Sequence, residues 1–122
     1  MSEKIKILVI DDQRIIGEFF NITLGAKGCE IVVVDDPLKA VEVVRQGSFN
    51  IIFLDIVMPG KDGIEILKEV KMLFPELPVV MMSGYSTSEQ RGQAMKLGAY
   101  ACLQKPFQAE DISRLIGEVT TK

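Results

Sequence analysis

Three aspartates and one lysine in this sequence sit where they could act together. Asp11 and Asp12 follow directly on the apolar run Ile7 to Ile10. Asp55 follows directly on Ile51 to Leu54, and Lys105 comes just after the weaker run Ala99 to Leu103. If these runs are neighbouring strands, three carboxylates converge at one sheet edge. Carboxylates brought together repel, so either their pKa values rise or a cation offsets them. A hard dication with oxygen ligands meets that need, and Mg²⁺ requires only one or two carboxylates plus waters. With Lys105 beside it, three carboxylates, one ammonium and a dication sum to neutrality, and a phosphoryl group would enter a neutralised site. Each residue alone has a plainer reading. Asp11-Asp12 could cap a helix and supply a first-turn carboxylate. Lys105 could be a solvated loop lysine. Asp55 is the hardest to dismiss, because an aspartate between Leu54 and Ile56 is expensive to bury without a task.

The composition narrows the chemistry. The sequence of 122 residues contains no histidine, which removes Ser-His-Asp and Cys-His catalysis and zinc sites built on imidazole. Its net charge is −3 and its pI about 5.0, so it lacks the basic face expected of a domain that holds nucleic acid directly. No Gly-x-x-x-x-Gly-Lys loop for nucleotide phosphates is present. Two cysteines, Cys29 and Cys102, are too few for a disulfide framework and read as small buried thiols in a reducing cytoplasm. No apolar run is long enough to span a bilayer. Met1-Ser2-Glu3-Lys4 lacks the apolar core of a secretory leader. At this length we expect one domain, residues 1–122.

The elements that must position the site follow from the apolar pattern. Ile7 to Ile10, Ile31 to Val34, Ile51 to Leu54 and Val79 to Met82 are short and apolar on both faces, as parallel strands covered by two helical layers are. Ala99 to Leu103 is a fifth candidate. The intervals 11–30, 35–50, 55–78 and 83–98 each accommodate a crossover helix. Asp36 and Pro37 read as N-cap and first helical residue, with Gly47 closing that helix. Asp62 with Glu65, and Ser86 with Glu89, have capping-box spacing. Ile15, Ile16, Phe19 and Phe20 predict an apolar stripe for the first helix, and Ile112, Leu115, Ile116 and Val119 one for the last. The segment Ser86 to Leu97 has few apolar residues and an internal Gly92, which predicts a helix with a thin core face. Alternating strands and helices predict an α/β fold with an open parallel sheet. The strand order 2-1-3-4-5 would bring the carboxylates together but is one order among several.

Four motifs, in order and at these intervals, resemble the receiver domain of bacterial two-component response regulators. They are Val9-Ile10-Asp11-Asp12, Phe53-Leu54-Asp55-Ile56-Val57-Met58-Pro59-Gly60-Lys61-Asp62-Gly63, Met82-Ser83-Gly84-Tyr85 and Lys105-Pro106-Phe107. The resemblance covers Lys4 to Val119. It implies a flavodoxin-like, CheY-like (βα)5 fold with strand order 2-1-3-4-5 and helices on both faces. It implies that Asp55 is the phosphoacceptor, taking a phosphoryl group from a sensor histidine kinase or phosphotransfer protein. Asp11, Asp12, Asp55 and the backbone carbonyl of Val57 would hold Mg²⁺. Ser83 would bond the phosphoryl oxygens and Lys105 would pair with them, through a cis Lys105–Pro106 bond. Such a domain is a signalling switch. It catalyses only its own phosphoryl transfer and dephosphorylation, and it signals through the face of helix four, strand five and helix five to a protein partner or a second copy.

One position departs from the family pattern. Cys102 stands where a switching Tyr or Phe is usual, and Tyr100, two residues earlier, would share its strand face. Output is therefore expected to rely on rearrangement of Ser83 to Leu97. Val57 and Tyr85, beside the site, are expected to slow hydrolysis of the acyl phosphate by water. The departure leaves room for a second function, a docking module on the same fold that needs no phosphorylation. A metal-dependent phosphatase of the haloacid-dehalogenase type is disfavoured, since it wants a second aspartate where Val57 stands.

Overall fold

Every apolar run becomes a strand. In the computed structural model, which describes residues 4–120, the strands are β1 (Lys6–Ile10), β2 (Glu30–Val34), β3 (Ile51–Asp55), β4 (Val79–Ser83) and β5 (Ala101–Gln104). The helices between and after them are α1 (Arg14–Gly25), α2 (Ala40–Gln46), α3 (Gly63–Leu73), α4 (Ser88–Lys96) and α5 (Ala109–Thr120). A turn of 3₁₀ helix, Pro37–Lys39, leads into α2. All neighbouring strands are parallel, in the order β2-β1-β3-β4-β5.

Alternation along the strands divides the core in two. Leu8, Ile10, Ile52, Leu54, Val79 and Met81 face α2, α3 and α4, meeting Val44, Ile66, Leu67, Val70 and Ala94. Ile7, Val9, Ile51, Phe53, Val80 and Met82 face α1 and α5, meeting Phe20, Leu24, Ile112, Leu115 and Ile116. The Phe20 and Phe53 rings pack with centroids 4.8 Å apart. Strands β1, β3 and β4 are buried on both faces as expected, whereas β2 and β5 are edges, and Val33 of β2 is exposed.

The helix ends correct several local expectations. The box on α4 is made by Thr87 and Gln90, not Ser86 and Glu89: Thr87 Oγ1 accepts from the Gln90 backbone N–H at 3.0 Å, and Gln90 Oε1 accepts from that of Thr87 at 2.9 Å. Ser86 lies one residue too early because its own N–H is taken by Ser83. Asp62 caps α3 by accepting from the Ile64 N–H at 2.9 Å. Asp36 caps the 3₁₀ turn through the Leu38 N–H, and Gly47 is the C-cap of α2. On α1 the buried stripe is Gly17, Phe20 and Leu24, while Ile15 is 70% exposed, because the helix turns its Gly17 side onto Val33. In α4 only Ala94 is buried, the thin core face that its composition implies. No helix among the described residues is long and apolar enough to cross a membrane.

Candidate functional site

Strand register assembles the site. Ile10 pairs with Leu54, so Asp11 and Asp55 are carried out of the sheet side by side. Met82 pairs with Asp55 on the other flank, which puts Ser83 one step beyond it. Ser83 pairs with Gln104, and Lys105 follows. Each residue thus sits at or just past the carboxyl end of its strand, the edge where open α/β sheets bind ligands.

Carboxylate oxygens of Asp11, Asp12 and Asp55 all lie within 4.8 Å of one another. Asp11 and Asp55 are buried, at 0% and 4% exposure, while Asp12 is exposed at the mouth. Lys105 reaches in from beyond β5. Its Nζ donates to Asp11 Oδ2 at 2.7 Å, to Gln13 Oε1 at 3.0 Å and to Asp55 Oδ2 at 3.3 Å. Asp11 Oδ1 accepts from the Gln13 N–H at 2.9 Å, and Asp55 Oδ1 from the Val57 N–H at 3.3 Å. Ser83 Oγ accepts from the Tyr85 and Ser86 N–H groups at 3.1 and 2.7 Å. The Lys105–Pro106 peptide is cis. Asp12, Gln13, Asp55, Ser83 and Lys105 line a pocket of about 480 Å³, walled by Ile16, Val57, Gly84, Tyr85 and Pro106 as well, with Asp11 buried behind it. A second depression of about 550 Å³ lies at the opposite sheet edge, between Phe49, Phe74 and Leu77, and holds no group of carboxylates.

Burial first, and the neighbouring Asp11 charge second, raise the Asp55 carboxyl to about 6, against the opposing pull of Lys105 and the Val57 N–H. One ammonium therefore does not neutralise the cluster. Hard oxygen donors, an excess of negative charge and an open side at Asp12 where waters can enter fit a small divalent cation such as Mg²⁺. The capping reading of Asp11-Asp12 does not hold: the N-cap of α1 is Gln13. Nor is Lys105 a solvated loop lysine, since its side chain is only 13% exposed.

Two residues at the site were given no role by the sequence. Gln13 contacts Lys105, and its signal was a glutamine at a helix start, where Ser, Thr, Asp or Asn is favoured. Gly63 packs its α-carbon onto the end of β3, where a Cβ would lie 2.8 Å from Ile56 Cα and closer still to the Asp55 carbonyl oxygen. Its signal was a glycine opening a helix, where it costs stability unless space demands it. The expectation for Tyr100 is corrected. It lies before β5, and its hydroxyl donates to Glu118 Oε1 of α5 at 2.7 Å. Cys102 instead turns to α4, with Sγ 3.9 Å from Met95 Sδ. The chain bends just ahead of the strand, so strand alternation does not extend to Tyr100. Cys29 and Cys102 are both free and partly buried.

The family model described as the response regulator receiver domain matches residues 7–117. The chain is 34% identical over 111 residues to the response regulator protein FleR of Pseudomonas aeruginosa, a match covering 91% of this chain and 24% of that protein. It is 34% identical over 116 residues to the transcriptional regulatory protein FixJ of Bradyrhizobium diazoefficiens, covering 95% and 57%. A CheY-like receiver domain protein of Methanospirillum hungatei has a similar structure, with a TM-score of 0.91 at 26% identity, over 95% of this chain and 93% of that one. The chain therefore belongs to the receiver domains of two-component response regulators, a family of phosphorylation-activated switches that generally bind Mg²⁺ at an aspartate cluster. It spans from about a quarter to just over half the length of these two curated relatives.

Proposed function

We propose that this receiver is switched by phosphorylation of Asp55, with the phosphoryl group coming from a phosphohistidine on a sensor histidine kinase or phosphotransfer protein. The observation that carries the reading is the buried Asp55 carboxylate beside Asp11 and Asp12, with the Lys105 ammonium 3.3 Å away. An Asp55 oxygen attacks phosphorus, the P–N bond breaks, and its electron pair leaves on the imidazole nitrogen. The product is an acyl phosphate. No general base is needed, because a carboxyl titrating at about 6 is mostly ionised at neutral pH. Asp11, Asp12, Asp55 and the Val57 carbonyl would hold Mg²⁺, which when bound offsets charge on the phosphoryl oxygens. Lys105 pairs with one of those oxygens, and phosphoryl transfer asks for little beyond such positioning and charge stabilisation. The Ser83 oxygen accepts in both of its local bonds, so its proton is left to donate to another phosphoryl oxygen.

The added charge draws the Ser83 loop inward and shifts an existing two-state equilibrium. With Cys102 in place of a switching ring, that shift is expressed in Ser83 to Leu97, where α4 is held by little more than Ala94. The surface of α4, β5 and α5 then binds a protein partner or a second copy of the chain. Output is contact, not turnover of a metabolite, and residues 1–122 act as one domain in the cytoplasm without touching nucleic acid themselves. The test is to incubate the protein with Mg²⁺ and acetyl phosphate and weigh it intact. We expect a gain of one phosphoryl group, absent in Asp55→Asn. Backbone amide exchange with and without a beryllofluoride mimic should differ within Ser83 to Leu97, and equal exchange there would count against the route of output. A second reading, a docking module indifferent to phosphorylation, draws on Cys102 alone and would be favoured by a protein that gains no mass.

A further inference from the structure

We infer that Gln13 is a positioning residue for Lys105, holding the lysine over the site when a metal ion takes up the charge of the carboxylates. The inference rests on the reading of Lys105 as the phosphoryl partner. Gln13 occupies the N-cap of α1 yet makes no side-chain cap bond. Glutamine is a poor choice for that position, and its side chain is spent elsewhere. Its Oε1 accepts from Lys105 Nζ at 3.0 Å, while its backbone N–H donates to Asp11 Oδ1 at 2.9 Å. Asp11 Oδ2 in turn accepts from Lys105 at 2.7 Å. One residue thus closes a ring that includes both members of the ion pair.

An ammonium has three protons, and Lys105 has three acceptors: Asp11, Asp55 and Gln13. Two of them are carboxylates of the cluster that could hold a cation. When a dication is set against those charges, their pull on Lys105 weakens and the dication repels the ammonium. The carboxamide of Gln13 is neutral, so its hold survives. Without it a flexible four-carbon stem is free to leave for solvent. A carboxamide also does this without adding a fourth negative charge to the cluster.

Two variants separate the contact from the fold. Gln13→Met keeps the length and removes the acceptor, whereas Gln13→Glu keeps an acceptor oxygen. The side chain is exposed, so neither disturbs the core, and equal thermal melting verifies this. The first readout is the NMR order of the Lys105 side-chain ammonium in excess Mg²⁺. It should fall in Gln13→Met and be kept in Gln13→Glu. The second is the rate of phosphorylation by acetyl phosphate. A charge-assisted hydrogen bond to an exposed carboxamide predicts a fall of about five-fold in Gln13→Met, with no further fall when the change is made in Lys105→Met. Unaltered Lys105 order in Gln13→Met, or an equal fold loss in the Lys105→Met background, would overturn the inference. If the wild-type chain accepts no phosphoryl group, the phosphoacceptor reading fails, while the NMR comparison still decides the role of Gln13.

Discussion

Lys105 and Asp11 are 94 positions apart in the chain and 2.7 Å apart in space, joined by an ion pair whose carboxylate is wholly buried. The pair holds the end of β5 against the end of β1 across two intervening strands. It also sets the resting state of the site. A metal ion bound at the cluster would draw on the same carboxylates as Lys105, so its entry should loosen the pair. A buried pair of this kind is costly to break on one side, by about 3–5 kcal/mol, because the charge left behind is uncompensated.

Stability without metal should fall as Asp55 ionises. Its folded pKa of about 6 stands above the ordinary 3.8. Folding therefore favours the protonated carboxyl, and that contribution is full below the unfolded value and lost as pH rises through about 6. In Mg²⁺-free buffer Asp55→Asn should be more stable than wild type at pH 7 by on the order of 1–2 kcal/mol, and the gain should vanish near pH 4. Urea denaturation at both pH values checks this. Excess Mg²⁺ should stabilise the wild type and leave Asp55→Asn less affected, since binding to the folded state adds stability by mass action.

Gly63→Ala should be disruptive out of proportion to one methyl group. The new Cβ would meet the Asp55 carbonyl and stand 2.8 Å from Ile56 Cα, and backbone cannot swing aside as a side chain can. We expect a loss of about 3 kcal/mol or more, read by chemical denaturation. Gly92→Ala, in open space on α4, should instead stabilise by about 1 kcal/mol.

The acyl phosphate should be long-lived. Val57 and Tyr85 line the pocket that holds Asp55, and their bulk should limit the approach of water in line with the scissile bond. Val57→Asn combined with Tyr85→Glu should speed loss of the phosphoryl group, followed by intact mass after removal of acetyl phosphate. Faster decay in the wild type would refute the assignment.

Tyr100 should report on the seating of α5. Its hydrogen bond to Glu118 holds the phenol above its ordinary pKa, with burial and the Glu118 charge adding to the effect. In a Tyr85→Phe background, which leaves one tyrosine, absorbance titration should find this raised value, and Glu118→Ala should return it toward normal. An unchanged titration would mean that the bond does not persist in solution.

Much of the fold was legible because burial on both faces leaves a mark on composition. β1, β3 and β4 could be read from Ile7 to Ile10, Ile51 to Leu54 and Val79 to Met82, as no residue there needs water. Edges were harder. β5 ends at Gln104 and its residues are only partly buried, so its apolar signal was weak and its start at Ala101 was misplaced. Ile15 and Ser86 were misread for a similar reason: spacing is blind to which neighbour a helix packs on, and to a hydroxyl nearby that has already taken the N–H.

The residue types alone determined that acidic groups stand at strand ends, that imidazole chemistry is absent and that helices must cover a parallel sheet. Only the tertiary structure decided that Ile10 is level with Leu54 and Ser83 with Gln104, that Lys105 rests on Asp11 and Gln13, and that Tyr100 turns to α5. Such pairings are long-range. They depend on register and on which charges share one buried space, and neither is encoded in the interval between two residues of a chain.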